Sequence, residues 1–194
     1  MPTLAAVLDA CVLYPAVLRD TLLRSSNRGL YHCHWTDRIL EEVRRNLVAS
    51  GRTTEAQAEW LLATIRDKFQ DGEVSGYDSL IDAMINDPKD RHVAAAAVAC
   101  QAQVIVTINL RHFPAQAIEP FGVEAQSPDT FLTHLFHADA PALVDVIDRQ
   151  AAALRRPPVP VEDILDKLSA FAPEFARLVH TYRAGSPPPP DRQC

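Results

Sequence analysis

Residues 87–109 run DPKDRHVAAAAVACQAQVIVTIN, and this stretch decides the architecture. Pro88 favours a turn, Asp90 is placed to cap a helix, and Val93 to Cys100 form a small-residue helix suited to close packing on a sheet. Val104-Ile105-Val106 then reads as the heart of a strand over 103–107, apolar on both faces. A helix that feeds such a strand is the repeating step of a parallel α/β sheet.

Working outward, Leu4-Ala5-Ala6-Val7-Leu8 reads as a first and central strand over 3–8, and 30–34 as a short second one. Residues 121–125 read as a last strand at the edge. Helical spacing runs from 13 to 27 and stops at Asn27-Arg28-Gly29. Thr36 or Asp37 caps a helix that carries Glu41 and Glu42. The next helix, 54–69, turns Trp60, Leu61, Ile65 and Phe69 inward. After Ser127-Pro128 the pattern changes to three helices, 128–137, 139–155 and 161–183, the last two divided by a proline-rich run ending at Pro160. These readings divide the chain into an α/β domain over 1–125, a helical region over 126–183 and a disordered tail over 184–194.

Composition narrows the function. At 194 residues with 47% apolar content, the chain has enough material for a real core. A net charge of −6 argues against a general polyanion binder. Residues 1–52, however, hold seven arginines against five acids, so a nucleic acid would meet local Arg clusters. Cys11, Cys33, Cys100 and Cys194 show no C-x-x-C pairing and read as free thiols of a reducing cytosol, with neither zinc site nor disulfide framework. The apolar N-terminus lacks a basic leader and is interrupted by Asp9 and Pro15, which marks a core strand and not a signal peptide. No apolar stretch is long enough to cross a membrane.

Four polar residues fall where strands or helices deliver them to one region. Asp9 closes the first strand, Glu42 lies in Ile39-Leu40-Glu41-Glu42-Val43, Asp90 opens the Ala-rich helix, and Asn109 follows the strand 103–107. Open α/β sheets bind ligands at the carboxyl ends of their strands. Taken singly, each residue has a structural explanation: Asp9 and Asp90 as caps, Glu42 as a solvated helix face, Asn109 as a left-handed turn residue. Taken together, the acids suit a hard divalent cation, because crowded carboxylates without one raise each other's pKa and cost stability.

The motifs Val7-Leu8-Asp9-Ala10-Cys11, Leu40-Glu41-Glu42-Val43-Arg44, Asp87-Pro88-Lys89-Asp90-Arg91-His92 and Thr107-Ile108-Asn109-Leu110-Arg111-His112-Phe113 come in order with apolar flanks. In this the chain resembles the PIN-domain superfamily of metal-dependent nucleases over residues 3–125, and within it the VapC-type toxins of bacterial toxin–antitoxin pairs. The added helices resemble a longer VapC group. The resemblance implies a three-layer α/β/α sandwich with a central parallel sheet, and an endoribonuclease that uses Mg²⁺ or Mn²⁺. It also implies a homodimer neutralised by a small antitoxin, with structured RNAs such as tRNA as substrate. By the same resemblance Asp9, Glu42, Asp90 and Asn109 are catalytic, Asp9 and Asp90 hold the metal, and the Thr107 hydroxyl supports the site.

One departure stands out. Many PIN domains carry an acid where this chain has Asn109, and relatives often have one near His112. A neutral fourth position favours one tightly held cation over two. Arg91, Arg111 and His112, which neighbour motif residues, are the foremost candidates for gripping RNA phosphates, with Arg19 and Arg24 behind them. Three other readings compete: a dehalogenase-type nucleophile at Asp9, a PIN-like module that binds RNA or protein without cutting, and a housekeeping RNA-processing nuclease. The first lacks the second Asp or the Gly-Thr expected after Asp9, where the chain reads Ala10-Cys11-Val12.

Overall fold

The computed structural model describes residues 4–51, 53–153 and 159–185. Residues 186–194 of the expected tail, Cys194 among them, lie outside the described residues, as do positions 154–158 in the expected interhelical break. The chain forms two compact units. Residues up to Pro15 join Tyr31–Gln126 in the first, and Ala16–Leu30 join Ser127 onward in the second.

The first unit is built on a parallel sheet of β1 (Ala5–Leu8), β2 (His32–His34), β3 (Val104–Val106) and β4 (Glu124–Gln126), in the order β2-β1-β3-β4. Ala6, Val7 and Leu8 pair with Val104, Ile105 and Val106. All six are buried. Because successive strand residues face opposite sides, both faces of the sheet are covered, as a parallel sheet requires. Of the helices, α1 (Ala10–Leu13) follows β1 directly and is cut off from α2 (Ala16–Asn27) by Pro15, which cannot donate a helical N–H. The single helix expected from 13 to 27 therefore starts only at Ala16.

Next come α3 (Asp37–Ala49), α4 (Glu55–Lys68), the short α5 (Asp78–Ile81), α6 (Arg91–Ala99) and the short α7 (Ala115–Ile118). Thr36 caps α3 by accepting the Ile39 N–H, and Thr54 with Gln57 forms a capping box on α4. The inner face of α4 differs from the expected one. Ala58, Leu62 and Ile65 are buried, one helical stripe, whereas Trp60 is 71% exposed. Two residues on from Ala58 is about 200° around the helix, so Trp60 and the buried stripe cannot share a face. Helix α6 lies against β1 and β3 with Val93 and Ala94–Ala97 buried, which only side chains this small permit at such close approach.

The second unit comprises α2 with α8 (Pro128–Ala138), α9 (Ala140–Ala153), α10 (Val161–Ser169) and α11 (Pro173–Arg183). The helix expected over 161–183 is two helices, parted at Ala170–Ala172 ahead of Pro173, whose ring opens a new first turn. Helix α2, which the sequence reading placed in the first domain, packs on α9 and α10. The Thr21 hydroxyl donates to Gln150 at 2.7 Å, and the Gln150 amide donates to the Val17 carbonyl at 3.0 Å, so a buried polar pair is satisfied between α2 and α9. Phe136 meets Phe175 and Tyr182 edge-on, with ring centroids 6.3 and 5.9 Å apart.

Candidate active site

The carboxyl ends of β1 and β3 lie side by side. The Asp9 N–H donates to the Val106 carbonyl at 3.1 Å, which extends the strand ladder by one bond and fixes Asp9 where β1 turns into α1. Its side chain is buried, and the Thr107 hydroxyl donates to Oδ2 at 2.7 Å. The Cys11 thiol donates to the same oxygen at 3.0 Å and accepts the Ile108 N–H at 3.2 Å. Burial, then the charge of Asp9, pushes the Cys11 thiol up to about 12, so it stays a protonated donor. Thr107 Oγ1 also accepts the Asn109 N–H at 3.0 Å. Asp9, Cys11, Thr107 and the turn to Asn109 are thus one network, with the bonds to the Asp9 carboxylate among the described residues all on Oδ2.

Asp90 begins α6. Its Oδ2 lies 2.6 Å from His112 Nδ1, the separation of a ring N–H donating to a carboxylate. The Asp87 N–H donates to the His112 carbonyl at 3.1 Å, which ties the Asp87–Asp90 turn to the segment after β3. Ligand-type atoms of Asp87, Asp90 and His112 lie within 4.8 Å of one another. Burial raises the pKa of Asp90; the His112 bond opposes this, and the charges of Asp9 and Asp87 add to it. Asp9 is therefore near enough to Asp90 for the two charges to repel.

Capping does not explain these positions. Thr36, Thr54 and Ser127 each accept a first-turn N–H, as N-cap side chains do. Asp9, Asp90 and Asn109 stand at N-cap positions too, yet none makes a side-chain cap bond. Nor is Asn109 a left-handed turn residue, since its φ is −94°. Two of the best capping residue types are held away from the orphan N–H groups beside them.

Glu42, on α3, reaches the start of α6 by a different route. Its Oε1 lies 3.2 Å from His92 Nε2 and 3.9 Å from Arg38 Nε, and among the described residues its ion pairs are with these two. Arg91 Nε donates to the Asn86 carbonyl at 3.4 Å, and Arg111 Nε lies 3.4 Å from His112 Nε2. Arg24 pairs with Asp20 at 2.9 Å, and both Arg19 and Arg24 stand on α2 in the second unit.

Sequence reading missed Cys11, Asp87 and His92 as members of this region. The signal was proximity in the chain: Cys11 and His92 each follow a motif acid by two residues, and Asp87 precedes Asp90 by three.

Parallel strands that deliver uncapped acids to one carboxyl edge define the class, an α/β acid-site domain. By sequence the chain belongs to the PIN-domain family, which matches residues 5–111. The VapC50 C-terminal domain matches residues 128–181, so the chain is a VapC-type PIN protein with a C-terminal extension. Among curated proteins it is similar to one from Mycobacterium tuberculosis (strain ATCC 25618 / H37Rv) named "Putative ribonuclease VapC50". The two are 42% identical over 113 residues, 58% of this chain and 67% of that protein. No solved structure matches the chain closely.

Proposed function

We propose that this chain is a divalent-cation-dependent endoribonuclease, the toxin of a toxin–antitoxin pair. The observation that carries the reading is that Asp9 and Asp90 both stand at helix starts without capping them, with the charge of Asp9 felt at Asp90. The donor set fits a hard cation. Carboxylate oxygens dominate it, and a nearby positive charge would offset the burial and the neighbouring negative charges that raise Asp90. Asp9 and Asp90 would hold the metal, Mg²⁺ or Mn²⁺, with Asp87 and His112 within reach of Asp90. When bound, such a cation polarises the scissile phosphate.

The chain's own residues do the rest. Thr107 and Cys11 anchor Oδ2 of Asp9, which leaves its other oxygen for a ligand. His112 does the same for Asp90. Glu42 supplies the third carboxylate, Asn109 a neutral amide, and Arg91 and Arg111 bind backbone phosphates. A small antitoxin, a homodimeric assembly, a tRNA-like substrate and a cytoplasmic setting complete the proposal. No helix among the described residues is long and apolar enough to cross a membrane.

Cleavage of total cellular RNA tests the reading, with Mg²⁺ or Mn²⁺ against EDTA and Asp9→Asn alongside. Discrete products that need metal and vanish in the variant are expected. A non-cleaving binding module is favoured by one sequence feature, the neutral Asn109 at the fourth position, the three acids Asp9, Glu42 and Asp90 being intact. Metal binding that survives without cleavage of any RNA decides for that module.

A further inference from the structure

His92 is the one polar side chain in the buried run His92–Ala97 of α6. Its side chain is fully enclosed, and neither ring nitrogen makes an aligned hydrogen bond among the described residues. An imidazole in that position is costly unless it serves a partner, since buried polar groups are almost always bonded. Among the described residues its ion-pair partner is Glu42, with Oε1 3.2 Å from Nε2, close but not aligned as a hydrogen bond.

Glu42 has a choice of partners. Arg38, four residues earlier on the same helix and half exposed, is 3.9 Å from the same oxygen. An exposed i,i+4 pair of this kind holds a side chain weakly. His92 reaches it from a different helix, in the first turn of α6 and two residues along the chain from Asp90.

We infer that His92 is a positioning residue for Glu42: its Nε2–H fixes the Glu42 carboxylate for the acid site at the start of α6, in competition with Arg38. The inference rests on the proposed cation site and adds a residue to it. Partners that orient metal-site carboxylates typically change metal affinity by about 10–100-fold when lost.

The test uses the full chain and Mn²⁺ alone, titrated by calorimetry and by water-proton relaxation. His92→Gln keeps an amide donor at about the reach of Nε2, and His92→Leu removes the donor while keeping the site filled. Circular dichroism and thermal melting confirm that each variant is folded. The expected result is Mn²⁺ binding about ten-fold or more weaker in His92→Leu and largely kept in His92→Gln. Arg38→Gln should leave it unchanged. In a Glu42→Gln background, His92→Leu should cause no further loss, because it acts only through that carboxylate. Equal losses in Gln and Leu variants, or a loss in Arg38→Gln matching that in His92→Leu, overturn the inference. So does an additive loss in the double variant. If Glu42→Gln alone leaves Mn²⁺ affinity intact, the role of Glu42 itself fails, and the failure lies in the proposed site and not in His92 alone.

Discussion

At the scale of the residue, Thr107 does two jobs with one hydroxyl. It donates to Asp9 Oδ2 and accepts the Asn109 N–H, while its own side chain is fully buried. Thr107→Val keeps the shape and leaves both partners short of a bond, which should destabilise the metal-free protein by about 1–3 kcal/mol in urea unfolding. Thr107→Ser should recover most of that loss; equal stability of Val and Thr forms would show the hydroxyl to be idle. Asp90 offers a test of opposite sign. Its folded pKa is raised, so its contribution to stability is fully present below the ordinary value of 3.8 and is lost as pH rises through the folded value. In EDTA at pH 7, Asp90→Asn should therefore melt no lower than the parent, and its advantage should fade as pH falls towards 3.8. Added Mn²⁺ should raise the melting temperature of the parent and not of the variant. A variant that melts lower in EDTA at pH 7 would mean the carboxylate is structural. Sequence alone named both residues, because each closes or opens an apolar element. What it could not show is that Asp9 and Asp90 leave their caps unmade, which depends on side-chain direction across β1, β3 and α6.

At the scale of the element, the small-residue helix decides how near Asp90 comes to the sheet. Ala94, Ala95, Ala96 and Ala97 are all enclosed, and α6 lies on β1 and β3. Ala95→Leu forces three extra carbons into a filled space, which should cost about 1–3 kcal/mol and shift α6 outward with Asp90 on it. Chemical denaturation reads the first effect and weaker Mn²⁺ binding the second. A variant as stable as the parent would mean that the packing is looser than described. This element was legible because its composition and its neighbours agree: turn, cap, alanines, then an apolar strand. Helix α4 was less so. Trp60, Leu61 and Leu62 are adjacent apolar residues, and which of them turns inward is set by tertiary contact and not by hydropathy. The breaks at Pro15 and Pro173 were visible as prolines, but a proline can kink, start or end a helix, and only the surrounding packing chooses.

At the scale of the whole molecule, the two units are not two consecutive stretches of chain. Residues 16–30 belong with residues from 127 onward, although more than ninety residues of the first unit lie between them. Apolar periodicity marked α2 as a helix, yet periodicity carries no address, and its long-range partner Gln150 stands 129 residues away from Thr21. This connectivity makes a prediction about truncation. Removing residues 127–194 strips α2 of α9 and α10, and with them the cover over Leu18, Thr21, Leu22 and Ser25, none of which is exposed in the intact chain. Each leucine contributes about 1.5–3 kcal/mol when fully buried. Two of them amount to a large part of the roughly 5–15 kcal/mol that holds a domain together. The truncated chain should therefore aggregate on expression, even though every strand and every acid of the first unit is present. Leu18→Ser with Leu22→Ser in the truncated chain should return it to solution, because the exposed face is then polar. Mn²⁺ binding by that soluble fragment is then expected, since Asp9, Glu42 and Asp90 all lie within the first unit. A truncated chain that is soluble and monomeric with both leucines in place would mean that α2 does not depend on the C-terminal helices for its cover.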